Sequence, residues 1–121
     1  MSSTIERLLI GNLHDVFGER DPLRRRAAIE RLFAPGAHFS DPHGRHVGHA
    51  ALDEAVAALQ AQFPGHVFTA LADVDALEDY GRLAWAFGPP DDPQQVTGLD
   101  VAVVSDGRIG ALYTFLDKRG A

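Results

Sequence analysis

The stretch VTGLDVAVVSDGRIGALYTFLD, residues 96–117, decides the fold. It carries two apolar runs, one that starts a residue upstream (95–104) and one over 109–117, on either side of Ser105-Asp106-Gly107-Arg108, a hairpin turn of the Asp-Gly kind. Side chains alternate along a strand, so Val96, Gly98, Asp100, Ala102 and Val104 share one face of the first run. Thr97, Leu99, Val101 and Val103 share the other. In the second run Leu112, Thr114 and Leu116 oppose Ile109, Ala111, Tyr113 and Phe115. A strand covered on one side only alternates apolar with polar residues, and these two are apolar on both faces. Helices can cover one face. A second copy of the chain is the expected cover of the other, which predicts a homodimer packed through the back of the sheet.

Upstream, residues 82–88 and 66–77 also read as strands, separated by a turn at Glu78-Asp79-Tyr80-Gly81, and Pro89-Pro90-Asp91-Asp92-Pro93 is a rigid loop. The first half of the chain is helical. Ser3 with Glu6 fits a capping box ahead of Ile5, Leu8, Leu9, Leu13, Val16 and Phe17, which predicts a helix over residues 4–17 stopped near Gly18. Asp21-Pro22 opens a second helix reaching Phe33, with Leu23, Ala27, Leu32 and Phe33 inward, and Ala34-Pro35-Gly36 breaks it. A short strand over residues 37–40, a turn at Asp41-Pro42-His43-Gly44 and an extended piece over 45–47 lead to a third helix, residues 49–62. Its stripe is Leu52, Ala55, Val56, Leu59 and Phe63, with Asp53, Glu54 and Gln60 facing water. Helices followed by an antiparallel meander predict an α+β domain, helices packed on one face of a sheet.

The 121 residues make one domain, 1–121, with an ordinary globular composition of 45% hydrophobic and 23% charged residues. No cysteine is present, which excludes disulfides, thiolate metal sites and a cysteine nucleophile. With 17 acids against 11 bases the formal net charge is −6, so no nucleic-acid partner is expected: such binding needs a basic footprint. No apolar stretch approaches the roughly 20 residues of a membrane span, so no membrane partner is expected. The start, Met1-Ser2-Ser3-Thr4-Ile5-Glu6, lacks a signal-peptide pattern, and a cytoplasmic protein is the expectation.

Asp100 is the most informative residue. An ionised carboxylate inside an apolar strand is expensive unless it is paired or protonated. Its small neighbours Gly98 and Ala102 predict open space above the sheet, the floor of a pocket. A solvated edge-strand acid, or one bonded to a helix N-terminus, is the plainer alternative. Asp41 starts an Asp-Pro turn, so a turn-building role stands beside a chemical one. Leu83, Trp85 and Phe87 form one strand face, core or pocket wall. Asn12 falls inside the apolar arc of the first helix and needs a partner, a ligand or local backbone. His38, His43, His46 and His49 cluster in sequence, yet their spacing fits no zinc motif, and His38 should point away from Phe39 and Asp41. There is no phosphate-cradling glycine loop, no Gly-x-Ser-x-Gly elbow and no His-Glu-x-x-His, so neither cofactor nor metal is expected.

Two segments together, LFAPGAHFSDPHGRHVGHAAL (residues 32–52) and residues 96–117, resemble the nuclear transport factor 2-like superfamily, in particular its SnoaL-like polyketide cyclases and ketosteroid isomerases. The resemblance implies a cone-shaped α+β fold. Three helices pack on a curved antiparallel sheet that wraps a pocket, a cystatin-like α+β barrel. It implies that Asp41 in FSDPHG is a general base. Asp100 in GLDVAVV is the carboxylic acid that binds an enolate oxygen, the type of acid kept neutral by an apolar site. The isomerases carry a tyrosine on the first helix as an oxyanion donor; this helix has none, and Asn12 is its inward polar candidate.

Two functional readings follow. The first is a SnoaL-like small-molecule pocket protein, a cofactor-free isomerase or cyclase. Asp41 abstracts a proton α to a carbonyl of an apolar or polycyclic ligand, Asp100 donates to the oxyanion, and Asn12, Leu83, Trp85, Phe87, Leu112, Thr114 and Leu116 line the cavity. The second is a non-catalytic ligand-binding or dimerisation module. An epoxide-hydrolase-like pairing of Arg82 with an aspartate is a third, disfavoured because Arg82 adjoins a turn.

Overall fold

The computed structural model describes residues 3–117. Helix α1 spans Thr4–Gly11, and the Ser3 hydroxyl at its N-cap accepts the Glu6 N–H at 3.0 Å. The helix does not continue as α to residue 17. Asn12–Phe17 widens into a π-helical turn, closed where Gly18 N–H reaches the Leu13 carbonyl at 2.9 Å. A Cβ on Gly18 would press on the His14 and Leu13 carbonyls, so this closure uses glycine.

Helix α2 spans Pro22–Leu32, N-capped by Asp21 on Arg24 N–H at 2.9 Å. Its buried side is Arg25, Ala28, Ile29 and Leu32, with Leu23 82% exposed. The expected inward set is therefore rotated. The cause is Arg25, which turns inward to Asp53 and Gln60 on α3.

Strand β1, Phe33–Asp41, follows α2 with no loop. Phe33 pairs with Ile109 and His38 with Ala111, and the surplus residues between them form an irregular, exposed bulge at Pro35 and Gly36. What reads as a helix breaker is this bulge. Strand β2, Gly44–Val47, closes a hairpin on β1, and helix α3 occupies His49–Gln62 as expected.

The single strand expected over residues 66–77 is two, β3 (Val67–Ala70) and β4 (Asp75–Leu77). Both pair with β5, Tyr80–Gly88, at different ends. Strands β6 (Val96–Ser105) and β7 (Arg108–Leu116) form the Asp-Gly hairpin, with Asp106 and Gly107 at φ +54° and +78°.

The sheet order is β2-β1-β7-β6-β5-β3, with β4 beside β5. Every pairing is antiparallel except β1 with β7, which run parallel. The sheet is thus mixed rather than antiparallel throughout. It is also an open, curved sheet and not a closed barrel. A parallel pair needs a long connection, and here α3 and five strands supply it. Helices cover the inner face, where Leu9, Leu13, Val16, Ile29, Phe33, Val56 and Leu112 are buried. On the outer face Tyr80, Val103, Val101, Tyr113, Leu99 and Phe115 are cross-strand neighbours, with Tyr80, Tyr113 and Phe115 exposed. Among the described residues no helix is long and apolar enough to cross a membrane.

Candidate active site

Three rungs of the inner face set the site. Leu83, Asp100 and Thr114 lie side by side on β5, β6 and β7; Trp85, Gly98 and Leu116 form the next rung toward one end, and Gly81, Ala102 and Leu112 the next toward the other. The small residues do not leave empty space. A Cβ on Gly98 would strike the six-membered ring of Trp85 and the Phe115 carbonyl, so the indole lies close against that glycine. A Cβ on Gly81 would strike Ile5 and Leu9, because α1 packs down on that rung. The open volume lies beside Trp85, away from α1.

That volume is a cavity of about 190 Å³. The π-helical turn contributes Leu13 and Phe17 to its wall, and β1 with its turn contributes Phe39, Asp41, Pro42 and His43. Helix α3 adds Leu59 and Phe63; β3 adds Phe68; β5 adds Trp85 and Phe87; β6 and β7 add Val96, Asp100, Thr114 and Leu116. Both candidate carboxylates, nearly sixty positions apart in sequence, are on this one wall. Of the expected lining, Trp85, Phe87, Thr114 and Leu116 are also there. Leu83 and Leu112 are not: both are fully buried in the hydrophobic core. Asn12 is fully buried off the wall, and neither its Oδ1 nor its Nδ2 finds a hydrogen-bond partner among the described residues.

Each carboxylate has one oxygen held and one left over. Asp100 Oδ1 accepts from Trp85 Nε1 at 3.0 Å and from Thr114 Oγ1 at 2.7 Å. Its Oδ2 takes no bond from a described residue. Asp100 is only 4% exposed, and burial pushes its carboxyl up to about 6, against the pull of the Thr114 and Trp85 hydrogen bonds. Because both donors sit on Oδ1, a proton on this group belongs on Oδ2. Asp41 Oδ1 accepts from the backbone N–H of His43 at 2.9 Å and of Gly44 at 3.1 Å, and its other oxygen takes no bond from a described residue. The cavity has no Lys or Arg among its described lining residues.

The remaining candidates disperse. His43 is on the cavity rim, and His46 stacks on Phe39 at 5.5 Å. His49 Nε2 meets the Phe33 and Ala34 carbonyls, each at 3.0 Å. His38 packs on Tyr113 at 5.5 Å, off the cavity face, and burial followed by Arg45 lowers its pKa. Among the described residues no group of three or more His, Cys, Asp or Glu is placed to hold a metal. Arg82 is exposed beside Asp75, at 3.7 Å, and shares the outer-face register of Val101, so it stands apart from the cavity of Asp41 and Asp100.

A buried polar network, not read from the sequence, anchors the wall. Gln60 Nε2 donates to the Phe17 and Glu19 carbonyls, and Arg25 donates to Gln60 Oε1, Glu19 O and Asp53 Oδ1. Asp53 and Gln60 thus turn toward α2 and the π-helical turn instead of water. Phe17 on one side and Leu59 with Phe63 on the other are fixed across the cavity by these bonds.

A sequence profile of the SnoaL-like domain matches residues 10–111. No curated protein matches the chain. Among solved structures, a SnoaL-like family protein of Agrobacterium tumefaciens C58, an isomerase by provisional name, superposes with a TM-score of 0.88 at 24% identity, covering 97% of this chain and 100% of its own. A protein of Jannaschia sp. CCS1, provisionally named a SnoaL-like polyketide cyclase, gives 0.76 at 14% identity over 97% of this chain and 90% of its own. One of Kribbella flavida, provisionally named a ketosteroid isomerase, gives 0.74 at 16% identity over 98% and 81%. At these identities the likeness carries the fold, and function has to be argued from the site.

Proposed function

The chain belongs to the SnoaL-like domain family, and we propose that its cavity binds a small apolar carbonyl compound and performs cofactor-free acid–base chemistry beside that carbonyl. The observation that carries this reading is the presence of Asp41 and Asp100 on one apolar wall, each with a spare oxygen. Asp41 takes a proton from the carbon α to the carbonyl, and the C–H electron pair moves toward the carbonyl oxygen. Asp100, protonated on Oδ2, donates a hydrogen bond to that oxygen as negative charge develops. The proton then returns to the same or another carbon. A ligand that displaces water from Oδ2 raises the Asp100 pKa further, which favours the acid form needed for this step.

The test is α-proton exchange into a bound ketone in D2O, followed by proton NMR. Asp41→Asn and Asp100→Ala are each expected to slow exchange by on the order of 100-fold. Undiminished exchange in both variants removes the mechanism. A second reading, a non-catalytic binding module, is favoured by the two backbone N–H groups already on Asp41 Oδ1, which give that residue a turn-building role. It predicts saturable ligand binding with no exchange above buffer.

The proposal includes a homodimer through the outer sheet face, on the exposed Tyr80, Tyr113 and Phe115 and the apolar neighbours between them. Light scattering is expected to give twice the 13.1 kDa chain mass. A monomer alone at micromolar concentration sinks it.

A further inference from the structure

Resting on the cavity reading above, we propose that the ligand buries one planar ring bearing an uncharged ketone, and that four-ring compounds are excluded. The volume sets the limit. The cavity of about 190 Å³ is close to the ~150 Å³ that admits benzene and below the ~300–1,000 Å³ of sites for drug-sized ligands.

The walls cannot retreat to make more room. Phe17 stands edge-on to Phe39 at 5.4 Å and to Phe68 at 6.0 Å. Phe68 stacks on Phe87 at 4.3 Å and meets Trp85 edge-on at 5.5 Å. Phe63 meets Phe87 edge-on at 5.7 Å. The six rings are one contiguous packed unit. Trp85 is backed by Gly98, where not even a Cβ fits, and Phe17 is tethered through its carbonyl to Gln60. Swelling the cavity means breaking several ring contacts at once.

Polarity sets the orientation and the charge. Asp100 is deeply buried, whereas Asp41 is half-buried and Pro42 and His43 are exposed. An oxygen-first entry brings the ketone to Asp100 Oδ2 and leaves the other end of the ring toward the rim. An anionic ligand meets two carboxyl groups and, among the described lining residues, no Lys or Arg.

Trp85 is the chain's single tryptophan and bonds to Asp100, so its emission reports on the cavity. The experiment titrates the intact protein with acetophenone, benzoate, benzylamine and a four-ring 3-ketosteroid, read by Trp85 emission and by calorimetry. Saturable binding of acetophenone is expected, with benzoate at least tenfold weaker and the steroid not saturating up to its solubility. Phe63→Ala, which removes a half-buried wall ring, should strengthen a two-ring acetonaphthone at least tenfold over wild type. A steroid binding as tightly as acetophenone in wild type overturns the size limit and leaves the cavity reading intact. Benzoate or benzylamine binding more tightly than acetophenone overturns the neutral-ketone assignment. Silence to every compound in both readouts overturns the cavity reading itself, and this inference with it.

Discussion

Replacing Arg25 with alanine is expected to destabilise the fold by roughly 3–5 kcal/mol, the range for breaking a buried ion pair from one side. The Arg25 side chain is 5% exposed and that of Asp53 21%, with Nε and Oδ1 2.7 Å apart. Without the guanidinium, Asp53 keeps only the longer 3.7 Å contact to Arg26, and Gln60 Oε1 loses its donor. A domain of this size has about 5–15 kcal/mol in total, so the loss is a large share of the margin. The urea midpoint measures it. Arg25→Met with Asp53→Leu should recover most of the loss, because two apolar groups of similar volume leave no orphaned charge. A loss below about 1 kcal/mol for Arg25→Ala would place the pair among solvent-screened surface bridges. The same variant should loosen the cavity, since Gln60 holds the Phe17 carbonyl.

Arg25 also shows why part of this molecule was illegible in its sequence. Arginine, aspartate and glutamine on helices face water by default, so Asp53 and Gln60 read as solvated and Arg25 was left out of the inward set, although the three form the bridge between α2, α3 and the π-helical turn. Helix α3 and the Asp-Gly hairpin were legible because the apolar period of the one and the turn chemistry of the other agree with the fold. The parallel pairing of β1 with β7 was not, because alternation tells which face a residue occupies and not which strand lies beside it. The same limit governs the site. Alternation put Asp100, Trp85, Phe87, Thr114 and Leu116 on the inner face together with Leu83 and Leu112. It could not tell that the latter two are sealed in the core while the aromatic rings from four other elements frame the rest. Phe39 shares the alternation of Asp41 and was readable as a companion on the wall; Phe68 and Phe63 had no such signal.

Replacing Asp100 with asparagine is expected to stabilise the protein at pH 7 by about 3 kcal/mol. The folded state raises this carboxyl from the ordinary 3.8 to about 6, and each pH unit of such a difference corresponds to about 1.4 kcal/mol. Between those two values the folded protein holds more protons than the unfolded chain. The Asp100 contribution therefore falls as pH rises from about 4 to 6, and the full penalty stands above that window. Asparagine keeps an oxygen for Trp85 Nε1 and Thr114 Oγ1 and has nothing to ionise. Paired urea melts isolate the effect: the variant's advantage should be near zero at pH 4, grow through pH 5–6 and level off by pH 7. A difference that does not change with pH, or a variant less stable at pH 7, would falsify the account of a desolvated carboxyl. An ionisable carboxyl kept at such a cost inside an apolar cavity, with its neutral form favoured, is what a working acid requires, because stability given up at a site is the usual counterpart of its chemistry. If the variant is more stable and also exchanges the ketone α-proton undiminished, Asp100 has no catalytic part and Asp41 must carry the chemistry without it.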